Sequence, residues 1–505
     1  MARTGEFPLS RSCGLFRMPS AARLCRWGLP CLLALVVGCY WQILSTFFVQ
    51  DDFSLLATAR RPMPNIEMLR GGCFFRPLPS YWIPMLNVSL WGLDPFWHHL
   101  TFFVLFLATL AALYFWLQEA TGSSPAALVG AGLYAFSKTH LYTLAWIAGG
   151  IDVSAGLFLV LTFWAVTRYF RRADSAGGRA NRRRLALIGG LFCCALLCKE
   201  SSVIIAPACL AWIAVRSMTG RRRLYPAEWK LAALMIAVLL AYLCVWKSIV
   251  VVGEAAALQF DLFRGVAVLR NSVVALAPAA EMGLPTRSDN WLLLPLLLAA
   301  AVAADCAARR RGADLLVLSL SLWALPASIF VLTKYPWCLQ LYYSQNSVIG
   351  LSLLAALAAR AFQQRSAASQ DRPRAAKWLP TWRGVSIPLA TALFAAWIVL
   401  ASQTICAGIR DRASPALYEA DLAKAAYDQL RTGLRAKKYQ KVVFLKESQR
   451  LWDSMNGLGM MAVFFPGVSV ECRDHSGVAV PPRLQTSSTT FVARLNAHQK
   501  MTLVR

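Results

Sequence analysis

A chain of 505 residues, of which 57% are hydrophobic and only 15% charged, is too apolar for a water-soluble domain. Repeated apolar stretches of about 20 residues match a bilayer core of about 30 Å and predict a polytopic membrane protein. The 52 Lys and Arg residues exceed the 25 Asp and Glu residues and give a net charge of +27. Because the basic residues lie between the apolar runs, this charge indicates membrane topology and contact with anionic lipid, and we expect no nucleic-acid partner.

The apolar runs, broken by Pro, Gly and charged residues, predict about 11 membrane-spanning helices. In chain order these spans are 28–49, 97–118, 125–138, 150–168, 185–198, 202–216, 231–252, 291–308, 314–333, 341–361 and 384–408. The first run is too long for the core of a signal peptide and has no small-residue cleavage site before Asp51, so we expect it to be retained. Residues 262–281 include Arg264 and Arg270, which favours a re-entrant or surface helix over a further crossing.

The Arg-rich loops agree with this count of spans. The N-terminal tail and the segments "RYFRRADSAGGRANRRR", "RSMTGRRR", "RRRG" and "RAFQQRSAASQDRPRAAKWLPTWR" all fall on one side of the membrane if there are eleven spans. The positive-inside rule makes that side cytoplasmic. We therefore expect a multi-pass protein of a bacterial inner membrane, with its N-terminus inside and its C-terminus outside.

This topology divides the chain into a basic cytoplasmic tail (1–27), a transmembrane domain (28–408, with a first outer loop at 50–96) and a C-terminal domain (409–505). In the last domain, "YEADLAKAAYDQLRTGLRA" has helical spacing and "LWDSMNGLGMMAVFF" predicts one further helix. The segments "KVVFL", "VSVEC", "TTFVARL" and "MTLVR" are typical of strands. The predicted fold is thus a mainly α membrane protein with a small α/β domain outside the membrane.

Two adjacent carboxylates, Asp51 and Asp52, follow the first predicted span on the outer side. A charge at membrane depth is costly unless it is paired or solvated, so each such residue is a functional candidate. Capping and solvation of a helix end explain one acid. They explain two less well, because neighbouring carboxylates raise each other's pKa. The pair therefore predicts a functional site.

Further polar residues stand at predicted membrane edges on the same side. They are Arg76, His98, His99, Lys138, His140, Asp152, Lys199 and Glu200. Each has a structural alternative: an arginine that binds lipid head groups, histidines that hydrogen-bond within the protein, and a Lys199–Glu200 ion pair that holds a helical hairpin.

Five motifs occur in a fixed order between residues 28 and 361: the acidic pair, "FRPL" followed by "LWGLDPFWHHL", "HLYTLAWIAGGIDVSAGLF", "LLCKESSVIIAP" and "LYYSQNSVIGL". Together they resemble the GT-C superfamily of membrane glycosyltransferases. The resemblance is to the polyprenyl- or dolichyl-phosphate-sugar-dependent branch and to the transmembrane part of TPR-bearing O-mannosyltransferases. The chain differs from the family pattern at Tyr142, where an acid is frequent, and at Gly150 and Gln340, where Arg is frequent.

The resemblance implies transfer of a sugar from a polyprenyl-phosphate donor to an acceptor hydroxyl at the outer face, with inversion and an Asp general base. It assigns catalysis to Asp51 and Asp52, donor phosphate binding to Arg76, Lys138 and Lys199, and substrate positioning to His99, His140, Asp152, Glu200, Tyr342 and Tyr343. The acidic pair is able to hold Mg²⁺ or Mn²⁺, but no third ligand is evident, so the use of a metal is left open. The expected partners are the lipid-linked sugar, membrane lipids and an acceptor that is a protein, a lipid or a glycan.

Two other functions are compatible with the same residues. A transporter or flippase of a lipid-linked or anionic substrate would use the acids and cations as a coupling or head-group site, although the sequence lacks the pseudo-repeat that transporters usually show. A catalytically silent GT-C relative would keep the fold without the chemistry.

Overall fold

Helices make up most of the part of the chain that the computed structural model describes. The described residues are 21–60, 75–175, 181–219, 225–249, 260–277, 293–309, 312–332, 344–368, 383–412, 414–436, 441–446, 449–456, 458–466, 468–474, 490–495 and 501–504. The helices are α1 (Ala21–Tyr40), α2 (Asp51–Ala59), α3 (Ile83–Trp91), α4 (Pro95–Thr121), α5 (Ser124–Ala135), α6 (Thr139–Ala145), α7 (Gly150–Ser175), α8 (Arg182–Cys198), α9 (Ile205–Thr219), α10 (Pro226–Ile249), α11 (Leu262–Val274), α12 (Leu293–Arg309), α13 (Ala313–Leu332), α14 (Gln345–Ala368), α15 (Arg383–Arg410), α16 (Pro415–Ala436), α17 (Gln449–Ser454) and α18 (Leu458–Phe464). Short 3-10 helices at Trp41–Ser45, Ile147–Gly149 and Glu200–Ile204 and a π-helical turn at Leu78–Trp82 join or extend them.

Within these residues, seven segments are long and apolar enough to cross a membrane. They are Trp27–Ser45, Pro95–Thr121, Ile147–Asp174, Glu200–Thr219, Pro226–Ile249, Gln345–Arg365 and Leu389–Thr432, and Ser124–Ala135, Leu293–Ala307 and Ala313–Ile329 are shorter apolar helices. Each of the eleven predicted spans overlaps one of the helices, and the chain is a multi-pass membrane protein. The number of crossings and their direction stay predictions.

The first span ends earlier than the sequence predicted. Helix α1 stops at Tyr40, a 3-10 helix continues to Ser45, and residues 46–49 are not helical. Phe48 and Val49 are fully buried within the protein. The predicted membrane helix is therefore wrong for its last four residues, because an apolar run does not distinguish a lipid-facing helix from a buried extended segment.

The helical bundle packs closely around α4, α5, α7 and α14. The phenolic oxygen of Tyr40 donates a hydrogen bond to the carbonyl of Ala135 (3.1 Å) and so fastens the end of α1 to α5. At the crossing of α13 and α14, a methyl group on Gly350 would lie 2.3 Å from the backbone nitrogen of Trp323. Small residues of this kind let membrane helices approach at backbone distance.

Helix α11 falls within residues 262–281, for which the sequence favoured a helix that does not cross the membrane. Asp261 caps it by accepting a hydrogen bond from the backbone nitrogen of Phe263 (3.0 Å). Its 13 residues span roughly 20 Å, which is shorter than the bilayer core. The depth of this helix in the membrane stays a prediction.

The C-terminal residues 415–504, here termed the C-terminal unit, combine α16, α17 and α18 with a four-stranded sheet of order β2-β1-β3-β4. The strands are β1 (Lys441–Lys446), β2 (Ser469–Asp474), β3 (Thr490–Leu495) and β4 (Met501–Val504), at the four segments predicted as strands. β1 is parallel to β2 and β3, with Lys441 opposite both Ser469 and Thr490, whereas β3 and β4 are antiparallel. The one helix predicted between β1 and β2 is wrong: two helices occur there, and Asn456 between them has a positive φ of 47°.

A second hydrophobic cluster joins the C-terminal unit to α2. Phe48 and the α2 residues Phe53 and Leu56 are buried together with Met460 and Met461 of α18. Helix α2 is therefore packed against the C-terminal unit, and the apolar residues on both sides of the acidic pair are covered by protein.

Candidate functional site

Asp51 and Asp52 open helix α2 and lie in opposite surroundings. Asp52 is fully buried, and its carboxylate accepts hydrogen bonds from the backbone nitrogens of Ala148 (2.7 Å) and Val49 (3.0 Å). Asp52 thus fastens the segment before α2 to the 3-10 helix at Ile147–Gly149. Asp51 is exposed.

Gln50, directly before the acidic pair, has a strained backbone with φ 50° and ψ −120°. Such a conformation costs a residue other than Gly about 1–3 kcal/mol and persists only where its surroundings hold it. The backbone nitrogen of Gln50 donates to the carbonyl of Ser454 (2.9 Å), and its side-chain amide donates to the carboxylate of Glu419. Both partners belong to the C-terminal unit, which therefore supports the turn that orients the two acids.

The two carboxyl groups differ in their electrostatics as well. Burial raises the pKa of Asp52 to about 8, and the N–H groups of Val49 and Ala148 oppose this rise. Partial desolvation also raises the pKa of Asp51, while the positive charge of Arg76 lowers it. Asp51 therefore combines an exposed carboxylate, a raised pKa and a nearby cation, which is a suitable environment for a general base.

Arg76 lies directly before the π-helical turn at Leu78–Trp82 and forms an ion pair with Glu200, with 2.7 Å between Nε and Oε2. The other carboxylate oxygen of Glu200 accepts a hydrogen bond from the backbone nitrogen of Phe75 (3.0 Å). Both side chains are partly exposed, at 19% and 22%. Glu200 thus positions Arg76 in two ways: it pairs with the guanidinium, and it binds the backbone of the preceding residue, Phe75.

Lys199 forms an ion pair with Asp152 in the first turn of α7, and both side chains are buried. The sequence analysis considered an ion pair between Lys199 and Glu200, and the structure shows instead that each pairs across the fold. Lys199 ends α8 in an extended conformation and Glu200 begins the next 3-10 helix, so neighbours in the chain point to different partners.

Arg76, Asp152, Lys199 and Glu200 form one charged cluster. Burial lowers the pKa of Lys199, Asp152 raises it, and the charge of Arg76 lowers it further. Arg76 also acts on the pKa of Asp51, so it lies within electrostatic reach of both Asp51 and Lys199. The charge of Arg76 thus links Asp51 electrostatically to the charged cluster.

The other candidate polar residues lie deeper in the protein. The imidazole of His99 bonds to the carbonyl of Leu144 (3.0 Å) and that of His140 to the carbonyl of Tyr134 (2.8 Å), and both histidines are buried. Lys138 is buried beside α11, where its backbone nitrogen donates to the carbonyl of Ala275 (2.9 Å). The structure does not bring these three residues to the exposed side of Asp51.

Tyr342 and Tyr343 lie outside the described residues. The next residues of the same motif, Gln345 and Asn346, are buried at the start of α14. The amide of Asn346 contacts the hydroxyl of Ser201 at 3.4 Å, so α14 reaches the 3-10 helix that carries Glu200.

The residues of the described chain show no group of three His, Cys, Asp or Glu side chains that could share a metal ion. Both oxygens of Asp52 already accept backbone hydrogen bonds. The arrangement does not fit a metal held by the acidic pair, so we assign no chemical step to Mg²⁺ or Mn²⁺, and metal dependence stays untested.

Sequence reasoning missed Gln50 and Glu419, which contact each other beside the acidic pair. Gln50 is an ordinary polar residue at the end of an apolar run. Glu419 is 369 residues away and lies in a helix with the usual charged pattern of a solvated face. No local pattern marks either residue.

The resemblance to the GT-C membrane glycosyltransferases that the ordered motifs predicted is supported by one similarity of fold and one similarity of sequence. Among solved structures, the chain is similar to ArnT from Cupriavidus metallidurans in the apo state, with a TM-score of 0.50 and 10% identity over 94% of this chain and 93% of ArnT. It is also similar to the apo oligosaccharyltransferase of Archaeoglobus fulgidus, with a TM-score of 0.47 and 12% identity over 89% of this chain and 64% of that one. No protein-family model matches the chain.

Among curated proteins, the chain is similar to the Homo sapiens protein O-mannosyl-transferase TMTC1. The two are 29% identical over 223 residues, which are 40% of this chain and 24% of the human protein. The similarity thus spans about a quarter of the length of that relative.

Proposed function

We propose that the protein is a glycosyltransferase that moves a sugar from a polyprenyl-phosphate donor to an acceptor hydroxyl at the outer membrane face, with inversion. The observation that carries the proposal is the exposed carboxylate of Asp51 within electrostatic reach of Arg76, which belongs to the charged cluster of Arg76, Asp152, Lys199 and Glu200. A lipid-linked sugar keeps its tail in the bilayer, so its reactive carbon lies at a membrane boundary. Asp152 lies in the first turn of α7, and Lys199 and Glu200 lie between α8 and α9. Because α7 and α9 belong to segments apolar enough to cross a membrane, their ends are compatible with such a boundary.

Asp51 is the proposed general base and Asp52 the residue that holds it in place. Both oxygens of Asp52 are engaged by backbone N–H groups, whereas Asp51 is exposed. Asp51 takes the proton of the acceptor hydroxyl as the hydroxyl oxygen bonds to the anomeric carbon. The bond from that carbon to the phosphate oxygen breaks on the opposite face, and its electron pair leaves with the lipid phosphate. The product glycoside therefore has inverted configuration.

Arg76 and Lys199 supply the positive charge for the departing lipid phosphate. Their pairing with Glu200 and Asp152 fixes the two cations before the substrate arrives. Preorganised charges of this kind favour the transition state because negative charge grows on the leaving oxygen as the bond breaks. We place Lys138, His99 and His140 in support of this region, because all three are buried.

The name of the human relative, an O-mannosyl-transferase acting on protein, suggests the first substrates to test. A polyprenyl-phosphate mannose and a peptide with Ser and Thr hydroxyls would be the first donor and acceptor pair.

The experiment that tests the function is a turnover assay with purified protein in liposomes, supplied with a panel of polyprenyl-phosphate sugars and the acceptor peptide. We expect the wild type to consume one donor and Asp51→Asn to lower the turnover roughly 10²- to 10⁴-fold, which is the usual contribution of a general base. The matched control is Asp94→Asn, because Asp94 is an exposed carboxylate of the same outer loop that caps α4 through the N–H of Phe96. As a surface substitution it should stay within about twofold of the wild type.

Two outcomes would contradict the proposal. If Asp51→Asn keeps full turnover, Asp51 is not the base. If no donor is consumed but a lipid-phosphate sugar crosses the bilayer of the liposomes, the protein is a transporter and the charged cluster is a head-group site.

A further inference from the structure

We propose that Glu419 of the C-terminal unit is a positioning residue for the acidic pair: it accepts the side-chain hydrogen bond of Gln50 and so holds the strained turn from which Asp51 and Asp52 project. The inference rests on the proposed role of Asp51 as the base. It assigns the C-terminal unit a part in the active site rather than a separate binding role.

The hydrogen bond between Gln50 and Glu419 is made by the residue whose backbone is strained. Gln50 has φ 50° and ψ −120°, a conformation that Gly adopts freely and other residues avoid. Its side-chain amide is bound by Glu419 of α16, and its backbone nitrogen is bound by the carbonyl of Ser454 at the end of α17. Two separate helices of the C-terminal unit therefore hold one residue.

The same face of the C-terminal unit holds the rest of α2. The amide of Asn456 donates to the hydroxyl of Ser54 (2.7 Å), and the guanidinium of Arg60 donates to the carbonyl of Val463. With the two bonds of Gln50, these contacts follow α2 along its whole length.

Aromatic packing fixes the approach of α16. The ring of Phe47 stacks on Tyr427 of α16 at 5.3 Å and on Phe464 of α18 at 5.9 Å, and Tyr427 and Phe464 are 4.6 Å apart. Phe47 lies three residues before Gln50, so this packing brings Glu419 to the turn. Helix α16 also packs on α6, and the charges of Glu419, Asp51 and Asp52 all raise the pKa of Tyr142 in α6, after burial as the main cause. Tyr142 is therefore within electrostatic reach of Glu419 and of both acids.

The test is a set of substitutions in the full-length protein, read by hydrogen–deuterium exchange and by donor turnover. Glu419→Ala removes the acceptor, whereas Glu419→Gln keeps a carbonyl oxygen for the amide of Gln50. Gln50→Gly relieves the backbone strain, so the turn no longer needs the hydrogen bond to Glu419. Asp428→Asn is the control, because Asp428 lies on the same helix but is exposed and pairs with Lys424 (2.9 Å).

Exchange of the backbone amides over residues 46–59 needs no substrate. We expect Glu419→Ala to speed this exchange at least severalfold, and Glu419→Gln and Asp428→Asn to leave it near the wild-type rate. If Glu419→Ala leaves the exchange unchanged, Glu419 does not position the turn. The exchange measurement tests the role of Glu419 even if the wild type transfers no sugar. Failure of this inference is therefore distinct from failure of the proposed function.

The turnover assay separates positioning from direct chemistry. We expect Glu419→Ala to lower kcat roughly 10- to 100-fold, because the base is misplaced. KM for the donor should stay within about twofold of the wild-type value. In a Gln50→Gly background the same substitution should have little further effect, because Gly needs no support and the two residues act as one unit. Two results would contradict a positioning role: a full additional loss of kcat from Glu419→Ala in the Gln50→Gly background, or a loss of kcat for Glu419→Gln as large as for Glu419→Ala. Either result would mean that the charge of Glu419 itself is the active feature.

Discussion

Asp51 and Asp52 are adjacent in the chain, yet one is exposed and the other fully buried. Successive residues of a helix point about 100° apart, so two neighbours at a helix start cannot both face the same partner. The buried carboxylate is held by the N–H groups of Val49 and Ala148. This division leaves the carboxylate of Asp51 accessible and that of Asp52 enclosed by the protein.

The buried acid predicts a dependence of stability on pH. The pKa of Asp52 is raised from 3.8 to about 8 in the folded protein, so between these values the folded state binds a proton that the unfolded state has lost. The contribution of Asp52 to stability is therefore full below about pH 4 and is lost as the pH rises through about 8. The slope has an upper limit of about 1.4 kcal/mol per pH unit.

Thermal unfolding in detergent, measured from pH 5 to 9 for the wild type and for Asp52→Asn, checks this expectation. The side-chain amide of the Asp52→Asn variant does not titrate, so this variant serves as the reference. The stability of the wild type relative to the variant should fall from pH 5 to about 8 and then level off. A constant difference over that range would show that Asp52 is ionised throughout.

At the scale of single elements, the 3-10 helix at Ile147–Gly149 connects the acidic pair to the bundle. Its Ala148 donates to Asp52, and it lies so close to α6 that a methyl group on Gly149 would stand 2.7 Å from backbone atoms of Thr143. A real Cβ cannot occupy that place without a shift of the backbone. The contacts therefore show a close approach that requires glycine at position 149.

Substitution of Gly149 should therefore damage both the fold and the site. We expect Gly149→Ala to destabilise the protein by about 1–3 kcal/mol through overpacking and to lower turnover, because Ala148 moves away from Asp52. Gly190 in α8 is the matched control, since a methyl group there meets nothing within 4 Å. Gly190→Ala should be neutral or stabilising by up to about 1 kcal/mol. Equal melting temperatures for the two variants would contradict the packing argument.

The segment 46–49 shows what an apolar pattern leaves undecided at this scale. Its residues continue the hydrophobicity of the first span, and the sequence placed them in the membrane helix. In the structure they are not helical, and Phe47 and Phe48 pack against residues of α16 and α18. Burial against a distant part of the chain and burial in lipid select the same residue types.

At the scale of the whole molecule, the polar groups are separated into two ends. Asp152 lies in the first turn of α7 with the charged cluster, and Asp174 lies near its last residue, roughly 33 Å away along the helix axis. There Arg216 forms ion pairs with Asp174, Glu228 (3.3 Å) and Asp314 (3.9 Å). The candidate site and this arginine network therefore lie at opposite ends of the bundle.

This separation supports a topology in which the arginine end is cytoplasmic and the acidic pair is outside. With eleven crossings, an epitope tag at the N-terminus should be protected from protease in right-side-out vesicles and a tag after Arg505 should be cleaved. A tag inserted at residues 176–180 serves as the cytoplasmic control. Cleavage or protection of both terminal tags together would mean an even number of crossings.

The sequence by itself determined the class of protein, the approximate positions of the apolar helices and the resemblance to GT-C transferases. These features follow from the lengths of the apolar runs, the charges and the order of the motifs, all of which can be read directly from the sequence. Only the tertiary structure decided which acid is buried, that Lys199 and Glu200 pair across the fold, and that Glu419 reaches Gln50. Those outcomes depend on desolvation and on contacts between residues up to 369 positions apart, which no local pattern encodes.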